Sequence, residues 1–285
     1  MAQPERLDLY GQTLAHWLRG LGPLRLIVRM PGNIGDHLIW RGCCDLFERY
    51  GLAAERIDHG EALEGRHPEH SLVIPGSGAL TRLWHEWLPE LILVAAHHYR
   101  HVIVLPSDYD VEVAPVAEAL AQPNVWAFAR QPRSYAAIRR FGRAALMPDP
   151  ALWCRRFHDP PPQPPTAAAA SLAPLLLALR TDKGSCLGTL PYRPTPDLNR
   201  DLSCCAPDLD AFLDAVASAA HIVTDRLHIA VAAVMLGRSL SWIDPYDGKI
   251  SGYLAYAFDT VQLSRCSPIA IEELVARGWL QPLEA

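Results

Sequence analysis

The sequence predicts an α/β protein made of two Rossmann-like domains that face one another across a cleft. Three observations predict it. Short apolar runs of strand length alternate with segments of helical periodicity, the pattern of parallel sheets. The apolar runs end in loops rich in Gly, Pro and Arg, where open parallel sheets place their ligands. A run of five prolines and one Gln, Pro160 to Pro165, resists both helix and ladder and reads as an extended linker. The expected division is therefore residues 1–159 and 166–285.

The elements are taken in chain order. Leu7 to Leu21 is an amphipathic helix with Leu9, Leu14, Trp17, Leu18 and Leu21 roughly on one face. It is read as packing on its own domain in preference to anchoring on a membrane. A strand over Leu24 to Val28 ends at Pro31-Gly32-Asn33-Ile34-Gly35-Asp36, and a helix over Leu38 to Tyr50 comes next. Leu72 to Ile74 is the next strand, and Pro75-Gly76-Ser77-Gly78 leads from it to a helix around Leu83 to Leu88. Strands over Val102 to Leu105 and Val125 to Ala129, then a helix over Ser134 to Phe141, complete the first half up to Pro150. In the second half, a strand over Leu175 to Leu179 ends at Arg180-Thr181-Asp182-Lys183. A helix over Leu209 to Ala220 leads to a strand through Ile222 and Val223 that runs into Arg226 and His228. An Ala/Val-rich helix closed by Gly237 and a strand ending at Asp244 come after it, with helices over Ser251 to Phe258 and Ile269 to Arg277. The last helix is placed so that it could pack back on the first half.

Composition narrows the function. The chain has 285 residues, half of them hydrophobic, enough for a core in each half. A formal net charge of −5 and the lack of a basic stripe argue against a nucleic-acid partner. Seven cysteines occur without a Cys-x-x-Cys pair, and Cys43-Cys44 and Cys204-Cys205 are adjacent, so reduced thiols in a cytoplasmic protein are expected. No signal peptide opens the chain and no apolar run reaches membrane-spanning length. The twelve histidines include no His-Glu-x-x-His spacing, and His67 and His70 stand in a polar stretch without ligand-like neighbours, so no metal is expected. A Gly-x-Ser-x-Gly elbow is missing too, which removes support for a hydrolase triad.

Two glycine loops and three strand-end groups carry the chemistry. Gly32-Asn33-Ile34-Gly35-Asp36-His37 lies between a strand and a helix, where glycines admit a ligand close to the backbone. It lacks the Gly-x-Gly-x-x-Gly spacing, so no dinucleotide is inferred. Gly76-Ser77-Gly78 reads equally well as a loop for a ligand and as a tight turn needing positive φ. Arg226 and His228 come after a strand and open a helix, whose N-terminal dipole favours an anion. Arg180 is a further cation at a strand end. Two guanidiniums and an imidazole suit a compact polyanion, because the Arg fork binds phosphate and carboxylate bidentately where Lys does not.

These motifs resemble those of the polysaccharide pyruvyltransferase family over most of residues 24–260. Thr224-Asp225-Arg226-Leu227-His228, Leu236-Gly237 and Tyr246-Asp247-Gly248-Lys249 are similar to its C-terminal signature, with Ile229 where the family usually has Gly. Asn33-Ile34-Gly35-Asp36 is similar to its Asn-x-Gly-Asp, Gly76-Ser77-Gly78 to its triple-glycine turn, and Arg130, Arg133-Ser134 and Pro148-Asp149-Pro150 to its Arg-x-x-x-Ser and Pro-Asp-Pro elements. The resemblance implies a GT-B-like pair of domains. It implies transfer of the pyruvyl group of phosphoenolpyruvate onto two hydroxyls of one sugar, forming a ketal and releasing phosphate without a cofactor. The acceptor would be a saccharide or a lipid-linked oligosaccharide bound by the N-terminal domain, compatible with peripheral association at the inner face of the cytoplasmic membrane. Arg180, Arg226, Leu227 and His228 would hold phosphoenolpyruvate in the C-terminal domain. His228 is the candidate acid/base, since an imidazole ordinarily titrates near neutrality, and Asp36 is the candidate base for the acceptor. Asn33, Gly35, Gly76, Ser77, Gly78 and Lys249 would serve the acceptor or the loops. A sugar-nucleotide glycosyltransferase and a non-catalytic sugar-binding protein are the alternatives.

Overall fold

The computed structural model describes residues 3–159, 173–244 and 248–283. It divides into two compact units, Met1–Gly32 with Ile39–Arg155, and Asn33–Leu38 with Arg156–Ala285. The expected contiguous halves differ from these units at two places: the short stretch Asn33–Leu38 groups with the C-terminal chain, and the first unit ends at Arg155 instead of residue 159. The proline run falls outside the described residues.

The first unit runs α1 (Gln3–Arg19), β1 (Leu24–Arg29), α2 (Ile34–Arg49), β2 (Glu55–Asp58), β3 (His67–Ile74), α3 (Leu88–His98), β4 (Tyr99–Ser107), α4 (Ala114–Leu120), β5 (Val125–Ala129), α5 (Pro132–Ile138) and β6 (Ala144–Leu146). Its six strands form one sheet in the order β2-β1-β3-β4-β5-β6, and all pairs are parallel. Val102 to Leu105 are fully buried, as expected of a central strand covered on both faces. Strand order reverses between β1 and β3, the point at which such sheets open a crevice. The loops that leave these two strands carry Gly32 and Gly76–Gly78.

Two expectations for this unit need correction, and two strands come in addition to those expected. These are the edge strands β2, four residues with Ile57 alone apolar, and β6, three residues long. The helix expected over Leu83 to Leu88 starts at Leu88, with Pro89 in its first turn where a missing N–H costs nothing. On α1 the buried face is Leu7, Leu14, Ala15 and Leu18, while Leu9 is 52% exposed. Trp17 meets Trp126 at 5.1 Å and Phe128 at 5.5 Å, so the apolar face of α1 is used within its own unit.

The second unit runs β7 (Ala173–Ala178), β8 (Tyr192–Pro194), α6 (Leu202–Cys205), α7 (Leu209–Ala217), β9 (Ala219–Thr224), α8 (Leu227–Met235), β10 (Ser239–Trp242), α9 (Lys249–Ala257), β11 (Cys266–Pro268), α10 (Ile271–Ala276) and β12 (Leu280–Pro282). Four strands make a parallel sheet, β11-β10-β9-β7, and β8 pairs antiparallel with β12. The expected helix over Leu209 to Ala220 stops at Ala217, since Ala219 and Ala220 already belong to β9. Leu227 and Ile229 to Val234 of α8 are all buried, the mark of a helix surrounded by protein. Gly237 closes α8 with φ 66°, a left-handed cap that glycine adopts without strain. The last helix adds Leu274 to its own unit's core, with Leu177, Leu179, Val223 and Ile243.

Candidate active site

Arg180 and Arg226 stand just past the carboxyl ends of β7 and β9, which are neighbours in the sheet. Thr224 ties the two ends together: its hydroxyl donates to the Ala178 carbonyl (2.7 Å) and accepts from the Arg226 amide (3.0 Å). The two guanidiniums then meet carboxylates. Arg226, 4% exposed, donates through Nε and Nη2 to the two oxygens of Asp201 at 2.5 and 2.6 Å. Its Nη2 also donates to Asp182 Oδ2 at 2.8 Å. Arg180 donates through Nε and Nη2 to Asp182 at 3.0 and 3.2 Å. Asp182 therefore spans both arginines, and its Oδ1 further accepts from the Gly184 amide at 2.9 Å.

Asp201 and a third carboxylate, Asp225, brace the loops. Asp201 accepts from the amide and hydroxyl of Thr181 at 3.0 and 3.1 Å. Asp225 accepts from the Arg180 amide at 2.7 Å and from the amide and thiol of Cys186, both at 3.4 Å. Burial pushes the Asp225 carboxyl above the usual range, against the pull of the Arg180 amide. Burial also works on Asp182, but the hydrogen bond and charge of Arg180, with the charge of Arg226, hold its carboxyl down at about 2. For Arg226, burial disfavours the charge, and Asp201 and Asp182 outweigh it and raise the guanidinium above its ordinary value. Arg180 and Arg226 stand at the strand ends as expected, yet both are already paired with carboxylates. Asp182, Asp201 and Asp225 had no place in the sequence-predicted site. Asp182 was legible as the second residue after Arg180, whereas Asp201 arrives from an irregular loop that carries no signal.

His228 is the second residue of α8 and comes two residues after the extended N-cap Arg226. Gly35 lies against it: a Cβ on Gly35 would be 3.3 Å from both Cβ and Nδ1 of His228, and 3.0 Å from Asn33 Oδ1. The structure thus brings the Asn33 loop and His228 together. At the start of α2, Asn33 Oδ1 accepts from the Gly35 amide (2.8 Å) and Asp36 Oδ2 accepts from the Asn33 amide (2.9 Å), a reciprocal capping box. Leu227 is buried and contributes packing. Lys249 opens α9, whose first free amides, Ile250 and Ser251, donate to Asp244 at 2.9 and 3.2 Å. Tyr246 and Asp247 lie outside the described residues.

Gly76, Ser77 and Gly78 belong to the first unit. Gly76 has no positive φ; the carbonyl of Pro106 would lie 2.1 Å from a Cβ there, so close backbone approach is what demands glycine. Ser77 donates its amide to Ser107 Oγ and accepts from the Ala79 amide, both at 2.9 Å. Arg130 and Asp149 are joined at 2.8 Å, and Arg130 also bonds Asp108, which accepts from Gln131 at 2.7 Å. These groups are buried and lock the ends of β4, β5 and β6, while Asp149 also caps the turn at the Ala151 amide (2.9 Å).

Asp182, Asp201 and Cys204 are the one group among the described residues with three metal-type ligand atoms close together, within 4.8 Å. The Arg226 Nη2 already bonds all three, at 2.8, 2.6 and 3.3 Å, so the cation these groups face is a guanidinium and the set does not fit a metal. His97 and His101, four apart in sequence, do not share a helix, because α3 ends at His98.

Parallel sheets with polar side chains at their carboxyl ends define an α/β protein of the open-sheet class. The chain belongs to the polysaccharide pyruvyl transferase family, whose model matches residues 33–245. By family it is therefore a transferase that modifies polysaccharide. In structure it is similar to a functionally uncharacterised protein of Klebsiella pneumoniae, with a TM-score of 0.71 and 18% identity over 93% of this chain and 99% of that one. At that identity the likeness concerns the fold alone. Escherichia coli ADP-heptose LPS heptosyltransferase II gives a TM-score of 0.31 at 12% identity, over 87% of this chain and 90% of that one, and carries no argument. No curated protein matches the sequence significantly. No helix among the described residues is long and apolar enough to cross a membrane.

Proposed function

We propose that the protein transfers the pyruvyl group of phosphoenolpyruvate onto two hydroxyls of one sugar, in a polysaccharide or its lipid-linked precursor, forming a cyclic ketal and releasing phosphate. The observation that carries this reading is the convergence of Arg180 and Arg226 on a single carboxylate, at 2.8 to 3.2 Å. Two guanidiniums aimed at one pair of oxygens are the arrangement a phosphate or carboxylate requires. Phosphoenolpyruvate carries both groups.

The reaction begins when an acid protonates the methylene carbon of phosphoenolpyruvate and leaves an oxocarbenium-like centre at C2. One sugar hydroxyl attacks that centre and loses its proton. The second hydroxyl attacks the same carbon, the bond from C2 to the phosphate oxygen breaks, and the second proton leaves with phosphate. His228, at the start of α8 beside Arg226, is the proposed proton donor to the methylene carbon. Asp36 is the proposed acceptor of the first hydroxyl's proton: one of its oxygens serves the cap at Asn33, and the other is assigned the task of a base. Its loop reaches His228 through Gly35. The arginines neutralise charge on the departing phosphate in a preorganised way. Gly35 keeps space beside the imidazole. The N-terminal unit, with Gly32 and Gly76–Gly78 flanking its strand-order reversal, is the proposed acceptor side.

A screen of saccharide acceptors with phosphoenolpyruvate, read by the mass gain of the sugar and by phosphate release, tests this. Gain of one pyruvyl group with matching phosphate supports it. Transfer from a nucleoside diphosphate sugar with none from phosphoenolpyruvate would replace it with a glycosyltransferase.

A further inference from the structure

Asp182 occupies the edges of Arg180 and Arg226 that a bound anion would use. Its Oδ1 accepts from Arg180 Nε at 3.0 Å, and its Oδ2 accepts from Arg180 Nη2 at 3.2 Å and Arg226 Nη2 at 2.8 Å. A ligand phosphate offers the same pair of oxygens. The two acids of the cluster are placed differently. Asp201 has a side chain only 5% exposed, chelates Arg226 and holds Thr181 by amide and hydroxyl, so it is built into the fold. The Asp182 side chain is 27% exposed, against 16% for Arg180 and 5% for Arg226, and sits on the short turn after β7. It is the member that can pass into water at least cost. Gly184, on the same turn, lies flat on Arg180: a Cβ there would be 2.5 Å from Nη2. The turn is folded directly over the guanidinium.

We infer that Asp182 is an internal counterion that closes the Arg180–Arg226 clamp and competes with the substrate's phosphate for it, so that only a strongly anionic group displaces it. The inference rests on the clamp being the donor site proposed above. With Asp182 in place, its carboxylate takes Arg180 Nε and Nη2 and shares Arg226 Nη2, so an arriving anion finds these three donors occupied. With Asp182 turned out, the same anion is offered those donors and no longer meets the repelling charge of that carboxylate. A dianion gains enough from this exchange to displace the carboxylate, and a monoanion does not. Asp182 thereby sets selectivity for phosphate-bearing ligands over simple carboxylates.

The test is equilibrium binding of phosphoenolpyruvate, inorganic phosphate and acetate to the wild-type chain and to Asp182→Asn, which keeps the shape and removes the charge. The expected result is about tenfold tighter binding of phosphoenolpyruvate and phosphate by the variant, and a narrower gap between phosphate and acetate. Unchanged affinity, or affinity weakened tenfold, overturns the inference, because Asp182 would then be inert or would only position the arginines. Asp182→Ser, too short to bridge both guanidiniums, serves the same comparison if the Asn variant does not fold. Wild-type binding without tightening in either variant refutes this inference alone. A wild-type chain that binds neither phosphate nor phosphoenolpyruvate refutes the proposed function and the inference with it.

Discussion

Arg226→Lys keeps the charge and removes the fork, and the structure sets the size of the effect. Arg226 makes two hydrogen bonds to Asp201 and one to Asp182, all charge-assisted and largely shielded from water. An ammonium on a straight stem replaces about one of them. Each lost bond is worth about 1.5–3 kcal/mol, and breaking a buried pair outright costs about 3–5 kcal/mol. A loss of about 3 kcal/mol in folding stability is therefore expected. For a unit of this size that is a fall of about 6–12 °C in melting temperature. The same change should weaken phosphoenolpyruvate binding by about tenfold to a hundredfold, since the Nη2 donor that reaches the Asp182 position is gone. The assay is a melting curve beside a ligand titration on the same sample. A wild-type melting temperature with wild-type affinity would refute the reasoning on both counts, since it would mean that the fork geometry is used neither by Asp201 nor by the ligand.

Four further outcomes are expected. The Asp182 carboxyl is held at about 2, below an ordinary value of about 3.9, so its contribution to stability is complete above about pH 4 and is lost as pH falls through about 2. The stability advantage of wild type over Asp182→Asn should shrink by about 2 kcal/mol over that window in acid-unfolding curves, and a constant gap would contradict the pairing. Gly76→Ala should destabilise by about 3 kcal/mol or more, because its methyl group meets the Pro106 carbonyl, whereas Gly142→Ala, with φ 82° and nothing within 4 Å, should cost only about 1–2 kcal/mol of backbone strain; equal effects in thermal denaturation would remove the steric argument. His228→Gln should lower kcat by about 10²–10⁴ with phosphoenolpyruvate binding nearly intact, and steady-state kinetics that show a changed KM alone would make His228 a binding group. A chelator should leave activity in place, since Arg226 fills the space between Asp182, Asp201 and Cys204; loss restored by one divalent ion would show a metal site elsewhere.

Local physics accounts for the features that were legible in the sequence. The parallel α/β class, most strands and the strand-end positions of Arg180 and Arg226 are all encoded by short-range alternation and by the residue types at the end of each apolar run. The Asn33-x-x-Asp36 spacing also lies in plain view, although its first meaning is a capping box at α2. The edge strands β2 and β6 escaped because Ile57 alone is apolar in one and the other has three residues. Asp201 escaped for a different reason. Its pairing with Arg226 spans 25 residues across an irregular segment, and no periodicity records which carboxylate will meet which guanidinium. Gly76 was legible as a required glycine, but its cause, a carbonyl arriving from the end of β4, is a tertiary fact.

Phosphoenolpyruvate labelled with carbon-13 at C2 tests the central claim most directly, when it is incubated with the protein and a responsive saccharide and monitored by carbon NMR beside phosphate release. The label is expected to appear as a ketal carbon bonded to two sugar oxygens, one for each phosphate released, and only when acceptor is present. Label recovered as free pyruvate at the same rate with and without acceptor, or left unchanged in phosphoenolpyruvate while another donor modifies the sugar, would contradict it.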